Sequence, residues 1–192
     1  MKQLRVGFDL DGVMYDFAES LRQYLKHFGY DSRYNLCEGE PDKWHFYRDW
    51  GMSDLEFVNH CHRGVDAGFV FAYGGTRDNS PDAVRFVREL GHTAHIITDR
   101  SFGSTPERSH FATRQWLYLN DIQYDTLDFS ADKTCRETDL FIEDKLENYD
   151  ALVAAGVDCY LVDRPWNQDK GDSRKRIKSI QEYATIIGNL TV

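Results

Sequence analysis

The chain has 192 residues, enough for one domain carrying one insertion, with a core that needs neither disulfides nor a structural metal to hold it. Hydrophobic residues make up 41% and charged residues 29%, which excludes a disordered chain, and no apolar run approaches the ~20 residues of a membrane-spanning helix. Lys and Arg number 23 against 32 Asp and Glu, a net charge of −9 that argues against stable binding along a nucleic-acid backbone. The cysteines Cys37, Cys61, Cys135 and Cys159 form no CxxC pair, and a strand already begins at Leu4 with no signal segment before it. Reduced thiols in a cytoplasmic setting are the expectation.

In chain order, Leu4 to Asp9 is predicted as a buried strand ending in a glycine-containing turn. Phe17, Leu21, Tyr24, Leu25 and Phe28 then share one helical face, with Gly29 as the stop. Ser53 to Glu56 reads as a capping box opening a helix to about Arg63, before Gly64. Ser80 is predicted to cap a helix whose first position is Pro81 and which Gly91 ends. A strand over His92 to Thr98 follows, then a helix from Thr105 and Pro106 to about Leu119. Asp139 to Ile142 is a strand, Leu146 to Ala155 a helix stopped by Gly156, and Cys159 to Val162 a last strand. Ser173 is expected to begin a closing helix along Ile177, Ile180, Ala184 and Ile187.

This alternation predicts an α/β protein with a doubly wound, Rossmann-like sheet of about five parallel strands and a site beyond their carboxyl ends. Residues 17–79 hold 13 of the 27 aromatic residues, and they are expected to form a small helical cap inserted after the first strand. Residues 1–16 and 80–192 then make the core.

Asp9 and Asp11 lie at the end of the first strand, and Gly12 permits a sharp turn after them. Glu143 and Asp144 end the Asp139 strand in the same way. Carboxylates crowded together repel, and a hard divalent ion such as Mg²⁺ relieves that repulsion while leaving room for phosphate oxygens. Thr98 closes its strand with a hydroxyl able to donate to a phosphoryl oxygen, and the Lys133 ammonium can neutralise charge on the same group. Taken singly, D-x-D-G often only ends a strand, Glu143 and Asp144 can complement a helix N-terminus, and Thr98 and Lys133 can be structural. All four in this order, at strand ends, make a phosphoryl-transfer set. Asp11 favours ester hydrolysis over dehalogenation, because an alkoxide leaving group benefits from a proton and a halide does not.

The segments DLDGV, IITD, ADKT and FIEDK resemble the four motifs of the haloacid dehalogenase superfamily. More narrowly, DLDGVMYDF, the aromatic insertion and ADKTCRETDLFIEDK resemble the 5'(3')-deoxyribonucleotidases and their bacterial and phage relatives, over about Val6 to Asp163. The resemblance implies attack by Asp9 on phosphorus, with Asp11 protonating the leaving oxygen and then activating water. It also implies Mg²⁺ held by the Asp9 carboxylate, the Asp11 backbone carbonyl and Asp144. Two departures stand out: Glu143 replaces a usual Asp, leaving open whether it binds metal directly or through water, and Lys145 replaces a usual Arg.

His60 and His62 flank Cys61 inside a predicted helix, where residues two apart point away from each other and cannot share an ion. Asp16 is expected to cap the first cap helix, with a place facing the active site from the hinge as the alternative. Of the cap aromatics Trp44, Phe46, Tyr47 and Trp50, most are assigned to the cap's own core, and Trp44 and Phe46 are the candidates to face a nucleobase. Arg164, Pro165, Trp166 and Asn167 follow the last strand, where residues can border the site, and a rigid turn is the simpler reading. The expected substrate is a small phosphate ester, a deoxyribonucleoside monophosphate first. The rivals are a sugar phosphate, a nucleic-acid 3'-phosphate end, and a catalytically silent binding or regulatory protein on the same fold.

Overall fold

The structure of the protein, a computed structural model, describes residues 2–169 and 171–190. Six parallel strands form one sheet: β1 (Arg5–Phe8), β2 (Thr93–Thr98), β3 (Thr126–Phe129), β4 (Leu140–Glu143), β5 (Asp158–Val162) and β6 (Arg176–Ile177), in the order β3-β2-β1-β4-β5-β6. Six α-helices accompany them: α1 (Phe17–His27), α2 (Asp54–Asp66), α3 (Ser80–Glu89), α4 (Pro106–Leu119), α5 (Leu146–Ala154) and α6 (Ile180–Leu190). The α/β doubly wound class expected from the alternation is what the chain adopts.

Strand side chains alternate between faces, and both faces are covered. Val6, Phe8, Ile96, Leu140 and Ile142 join the large core shared with Val84 and Val87 of α3 and Ile180, Tyr183 and Ile187 of α6. Ile97, Phe141, Cys159 and Leu161 point the other way, under Tyr149 and Leu152 of α5. From β1 the chain runs outward through β2 to β3, then returns to place β4 on the other side of β1. The loops leaving β1 and β4 therefore diverge and open a crevice between them.

The strand count exceeds the expected five or so, because the sheet edges are short. β3 has four half-buried residues without an apolar run, and β6 has only two. The closing helix begins at Ile180 rather than Ser173. Ile177 pairs with Val162 in β6, and the Ser179 hydroxyl accepts the Glu182 N–H at 3.3 Å. Helix α2 does not stop before Gly64 but continues to Asp66; a β-carbon at 64 would lie 2.6 Å from Val70 Cγ2, so the glycine serves close packing inside the helix. Ser80 is the first residue of α3 and not its cap, which is Asn79 in a left-handed conformation. The Ser80 hydroxyl donates to the Arg77 carbonyl instead.

Residues 17–79 contain α1, α2 and two 3-10 turns, Tyr30–Ser32 and Phe46–Arg48, and among the described residues no strand. The Asp16 carboxylate accepts the Glu19 N–H at 3.0 Å, and Ser53 and Glu56 form the predicted capping box. Trp50 is buried with the Arg22 guanidinium 5.2 Å from its ring centre, and that guanidinium donates to the carbonyls of Cys37 and Gly39 at 2.9 Å each. Tyr15 bridges Thr76, and the Arg77 N–H donates to the Met14 carbonyl at 2.7 Å. The segment thus leaves and rejoins the sheet region at one place, directly after β1.

Candidate active site

Pairing of Phe8 with Ile142 carries the next residue of each strand to the crevice side by side, and the Asp9 N–H continues the ladder to the Ile142 carbonyl at 3.1 Å. Asp9, Glu143 and Asp144 each offer a carboxylate oxygen within 4.8 Å of the others, and all three are buried. Lys133 Nζ reaches into the group, donating to Asp9 Oδ1 at 2.6 Å and to the Ile97 carbonyl at 2.9 Å. Gly12 turns the chain away at φ +75°, and a β-carbon there would lie 2.1 Å from Asp144 Oδ2. Any side chain at 12 would displace the carboxylate as well as strain the turn.

Neighbours fix each acidic group. Asp144 Oδ2 accepts the Trp166 indole N–H at 2.9 Å, and the Asp144 carbonyl accepts Asn167 Nδ2 at 2.7 Å. Glu143 Oε1 accepts the backbone N–H groups of Asp144 and Lys145 at 3.0 and 3.1 Å, and its Oε2 accepts Asn148 Nδ2 at 3.2 Å. Arg164 donates from Nε to the Gly12 carbonyl at 2.6 Å and from Nη2 to Asp78 at 3.2 Å, tying the turn to the loop after β5.

Three buried carboxylates around one buried ammonium leave negative charge unbalanced. Burial, then repulsion from Asp9, pushes Asp144 up to about 7, and the same two causes raise Glu143 well above the carboxylate range. Burial opposes the charge on Lys133, yet the carboxylates of Asp9 and Glu143 outweigh it and raise the ammonium. Asp11 is pushed up to about 6 by burial, while Arg100 pulls against the rise. A hard cation fits this donor set, since it needs several oxygen ligands and would supply the missing positive charge. Asp9, Asp144 and Glu143 are the residues placed to hold it. The Asp11 carboxylate lies outside that tight group.

These shifts carry a stability consequence. A carboxyl whose folded pKa lies above its unfolded value keeps its proton longer in the folded state, so its contribution is fully present below about pH 4 and is lost as pH rises towards 7. Burial lowers His60, His92, His95 and His110, which favours the folded state as pH rises and opposes the trend. The comparison that isolates the acidic group is therefore wild type against Asp144→Asn, both metal-free. Asp144→Asn is expected to raise Tm by about 5 °C at pH 8 and by little at pH 5. A lower Tm at pH 8 would contradict the charge assignment.

The acidic group forms the floor of a cavity of about 420 Å³. Asp11, Asp99 and Lys133 line it on the sheet side; Phe17, Trp44, Phe46, Tyr47 and Phe57 line it from the segment 17–79, and Phe102 from the loop after β2. Trp44 is 49% exposed, with Lys145 Nζ 5.4 Å from its ring centre. Phe46 packs edge-on against Trp50 at 4.9 Å and also reaches Phe17 and Phe57.

Asp9, Asp11, Lys133, Glu143, Asp144, Trp44 and Phe46 therefore meet at one cavity. Thr98 ends β2 beside it but does not line it; its hydroxyl is buried and, among the described residues, has no hydrogen-bond partner. Asp16 does more than cap α1, since it also lines the cavity and pairs with Arg77 at 2.7 Å. The segment after β5 is a turn, as expected, but Trp166 within it holds Asp144. Phe17, Phe57 and Phe102 carry no local signal of a site, because each also reads as an ordinary apolar residue.

No protein-family model matches the sequence. A protein of Chlorobaculum tepidum with the provisional name 5'(3')-deoxyribonucleotidase is 29% identical over 160 residues, spanning 79% of this chain and 75% of its own length. Among solved structures, one from Lactobacillus delbrueckii subsp. bulgaricus, provisionally named a phosphoglycolate phosphatase, matches with TM-score 0.62 and 11% identity over 97% of this chain and 99% of that one. An L-2-haloacid dehalogenase matches with TM-score 0.58 and 10% identity, over 97% of this chain and all of the other. This chain has the haloacid dehalogenase fold. Proteins of that fold bear the names of dehalogenases and phosphatases alike, so its haloacid dehalogenase architecture leaves the reaction to be argued from the residues.

Proposed function

We propose that this protein hydrolyses phosphomonoesters through a phosphorylated Asp9, with a deoxyribonucleoside monophosphate as the substrate. The observation that carries the reaction class is Asp9 itself: a buried carboxylate at the crevice floor, held by Lys133 at 2.6 Å and facing a cavity that Asp11 shares. An Asp9 carboxylate oxygen attacks phosphorus, the bond to the ester oxygen breaks, and Asp11 delivers its proton to the departing alkoxide. A carboxyl pushed up to about 6 suits a donor working near neutral pH. Water then adds to phosphorus, Asp11 takes its proton, and the acyl-phosphate bond breaks to release inorganic phosphate and restore Asp9. Lys133 neutralises charge beside the nucleophile. Mg²⁺ held by Asp9, Asp144 and the Asp11 carbonyl, with Glu143 beside them, would supply charge neutralisation for the transferring phosphoryl group.

The aromatic wall supports the substrate class. Rings at Trp44, Phe46, Tyr47, Phe57 and Phe102 offer faces for a base, and the cavity volume lies in the range of small-ligand sites. The segment 17–79 acts in this proposal as a cap that covers the bound molecule, which suits a small metabolite better than a polymer end. The name of the Chlorobaculum tepidum relative points the same way. Phosphate release should be fastest with deoxyribonucleoside monophosphates among a panel that includes sugar phosphates and 3'-phosphorylated oligonucleotides. A clear preference for either of the latter would sink the nucleotidase assignment and leave the phosphatase assignment standing; no release from any ester would sink both.

Stacking is worth roughly 1–3 kcal/mol per base. Trp44→Ala is accordingly expected to lower kcat/KM for the nucleotide about tenfold and to change an aryl phosphate by less than about threefold. Equal losses on both would remove Trp44 from base recognition.

A further inference from the structure

Arg100 lies two residues beyond Thr98, in the turn after β2. Its side chain is 1% exposed, and its Nη1 lies 3.2 Å from Asp11 Oδ1. Among the described residues no other carboxylate pairs with it, and Nε and Nη1 have no hydrogen-bond acceptor. A cation so buried is costly unless a negative charge sits beside it, and Asp11 is that charge. Two rings hold the guanidinium in place. Its carbon lies 4.0 Å from the Phe71 ring centre and 5.0 Å from that of Tyr15.

Those rings are themselves fixed. Phe71 has φ +68°, a left-handed conformation that bulky residues avoid, and its N–H donates to the Tyr15 hydroxyl at 2.8 Å. Tyr15 also meets Trp116 edge-on at 5.0 Å, and the Arg100 carbonyl accepts the Ser109 hydroxyl at 2.6 Å. The strained backbone presents the Phe71 ring to the guanidinium as well as to the rings of Phe17 and Phe102. The contact joins the turn after β1, the turn after β2 and the return of the segment 17–79.

We propose that Arg100, packed against Phe71 and Tyr15, is the positioning residue of Asp11 and holds that carboxylate where it exchanges a proton with the leaving oxygen. This rests on the phosphatase proposal for the same site. The Nη1–Oδ1 pair lacks the alignment of a hydrogen bond, so the guanidinium steers the carboxylate by charge without consuming its lone pairs. Asp11 thereby stays free to give and take a proton.

The test uses two esters and a double-mutant cycle. The parameter kcat/KM reports events up to the first phosphoryl transfer, in which Asp11 matters through protonation of the leaving group. Arg100→Met should lower kcat/KM about 100-fold for a deoxyribonucleoside monophosphate, whose alkoxide leaves poorly, and less than about threefold for p-nitrophenyl phosphate. Arg100→Lys should restore about tenfold of that loss. In an Asp11→Asn background, Arg100→Met should change neither ester by more than about threefold. Equal losses on the two esters, or an undiminished loss in the Asp11→Asn background, would overturn the assignment. Should Arg100→Met fail to fold, Phe71→Leu loosens that packing with the charge retained, and it should lower the nucleotide value about tenfold while sparing the aryl ester; equal losses would again overturn it. Wild-type protein that turns over neither ester refutes the phosphatase proposal and this inference with it, whereas normal wild-type turnover with an unaffected Arg100→Met refutes this inference alone.

Discussion

Asp9→Asn is expected to reduce phosphate release roughly 10⁴-fold or more while leaving Tm within a few degrees of wild type. The amide is nearly isosteric with the carboxylate, so the backbone bond from residue 9 to the Ile142 carbonyl and the packing around it survive. It cannot attack phosphorus. Lys133 retains the Ile97 carbonyl at 2.9 Å and the attraction of Glu143, so the substitution does not strand a buried cation. Measured with p-nitrophenyl phosphate, the result separates nucleophile from scaffold: a variant that keeps a tenth of the wild-type rate would show that another group attacks phosphorus.

Metal removal should have an effect of similar size. With excess chelator, activity is expected to fall below about 1% and to return on adding Mg²⁺, because Asp9, Glu143 and Asp144 crowd their carboxylates within 4.8 Å around the Lys133 ammonium, which does not balance their charge. A second readout needs no turnover. Mg²⁺ should raise Tm of the metal-free protein, and more at pH 8 than at pH 5, where protons compete for the same carboxylates. The larger Ca²⁺ ion should raise Tm without restoring activity, since its looser coordination does not reproduce the tight Mg²⁺ geometry. Full activity in chelator, with no Mg²⁺ effect on Tm, would refute the metal assignment.

Much of the frame was legible because its signals are local. Buried strands that stop at acidic residues, at Asp9 and again at Glu143, mark the crevice, and the alternation of strands and helices places those ends on one edge of the sheet. Asp16, Ser53 with Glu56, and Gly29 mark helix boundaries through chemistry within a few residues. The edge strands were not legible in that way: Thr126–Phe129 has no apolar run, and Arg176–Ile177 is too short for any period. Ile177 keeps helical spacing with Ile180 and Ala184, so the pattern extended the closing helix too far, and only the pairing with Val162 shows otherwise.

The supporting residues of the site were hidden for a different reason. Trp166 holds Asp144 across 22 positions of sequence, Arg164 grips the Gly12 carbonyl across 152, and Arg100 meets Asp11 from the turn after β2. None of these contacts has a spacing rule. Phe17 and Phe102 were equally silent, since an aromatic residue facing a cavity reads the same as one facing a core. Gly12 lies between the two cases: its place after Asp11 announced a turn, but the collision of a side chain there with Asp144 depends on the fold.

The central claim is that Asp9 carries the phosphoryl group in each turnover, and trapping that species tests it most directly. Protein mixed with p-nitrophenyl [³²P]phosphate and quenched in acid within milliseconds should retain acid-stable, hydroxylamine-labile label, and digestion should locate it on the peptide containing Asp9. Label on any other residue, or none in a protein that is turning over the ester, would contradict the account.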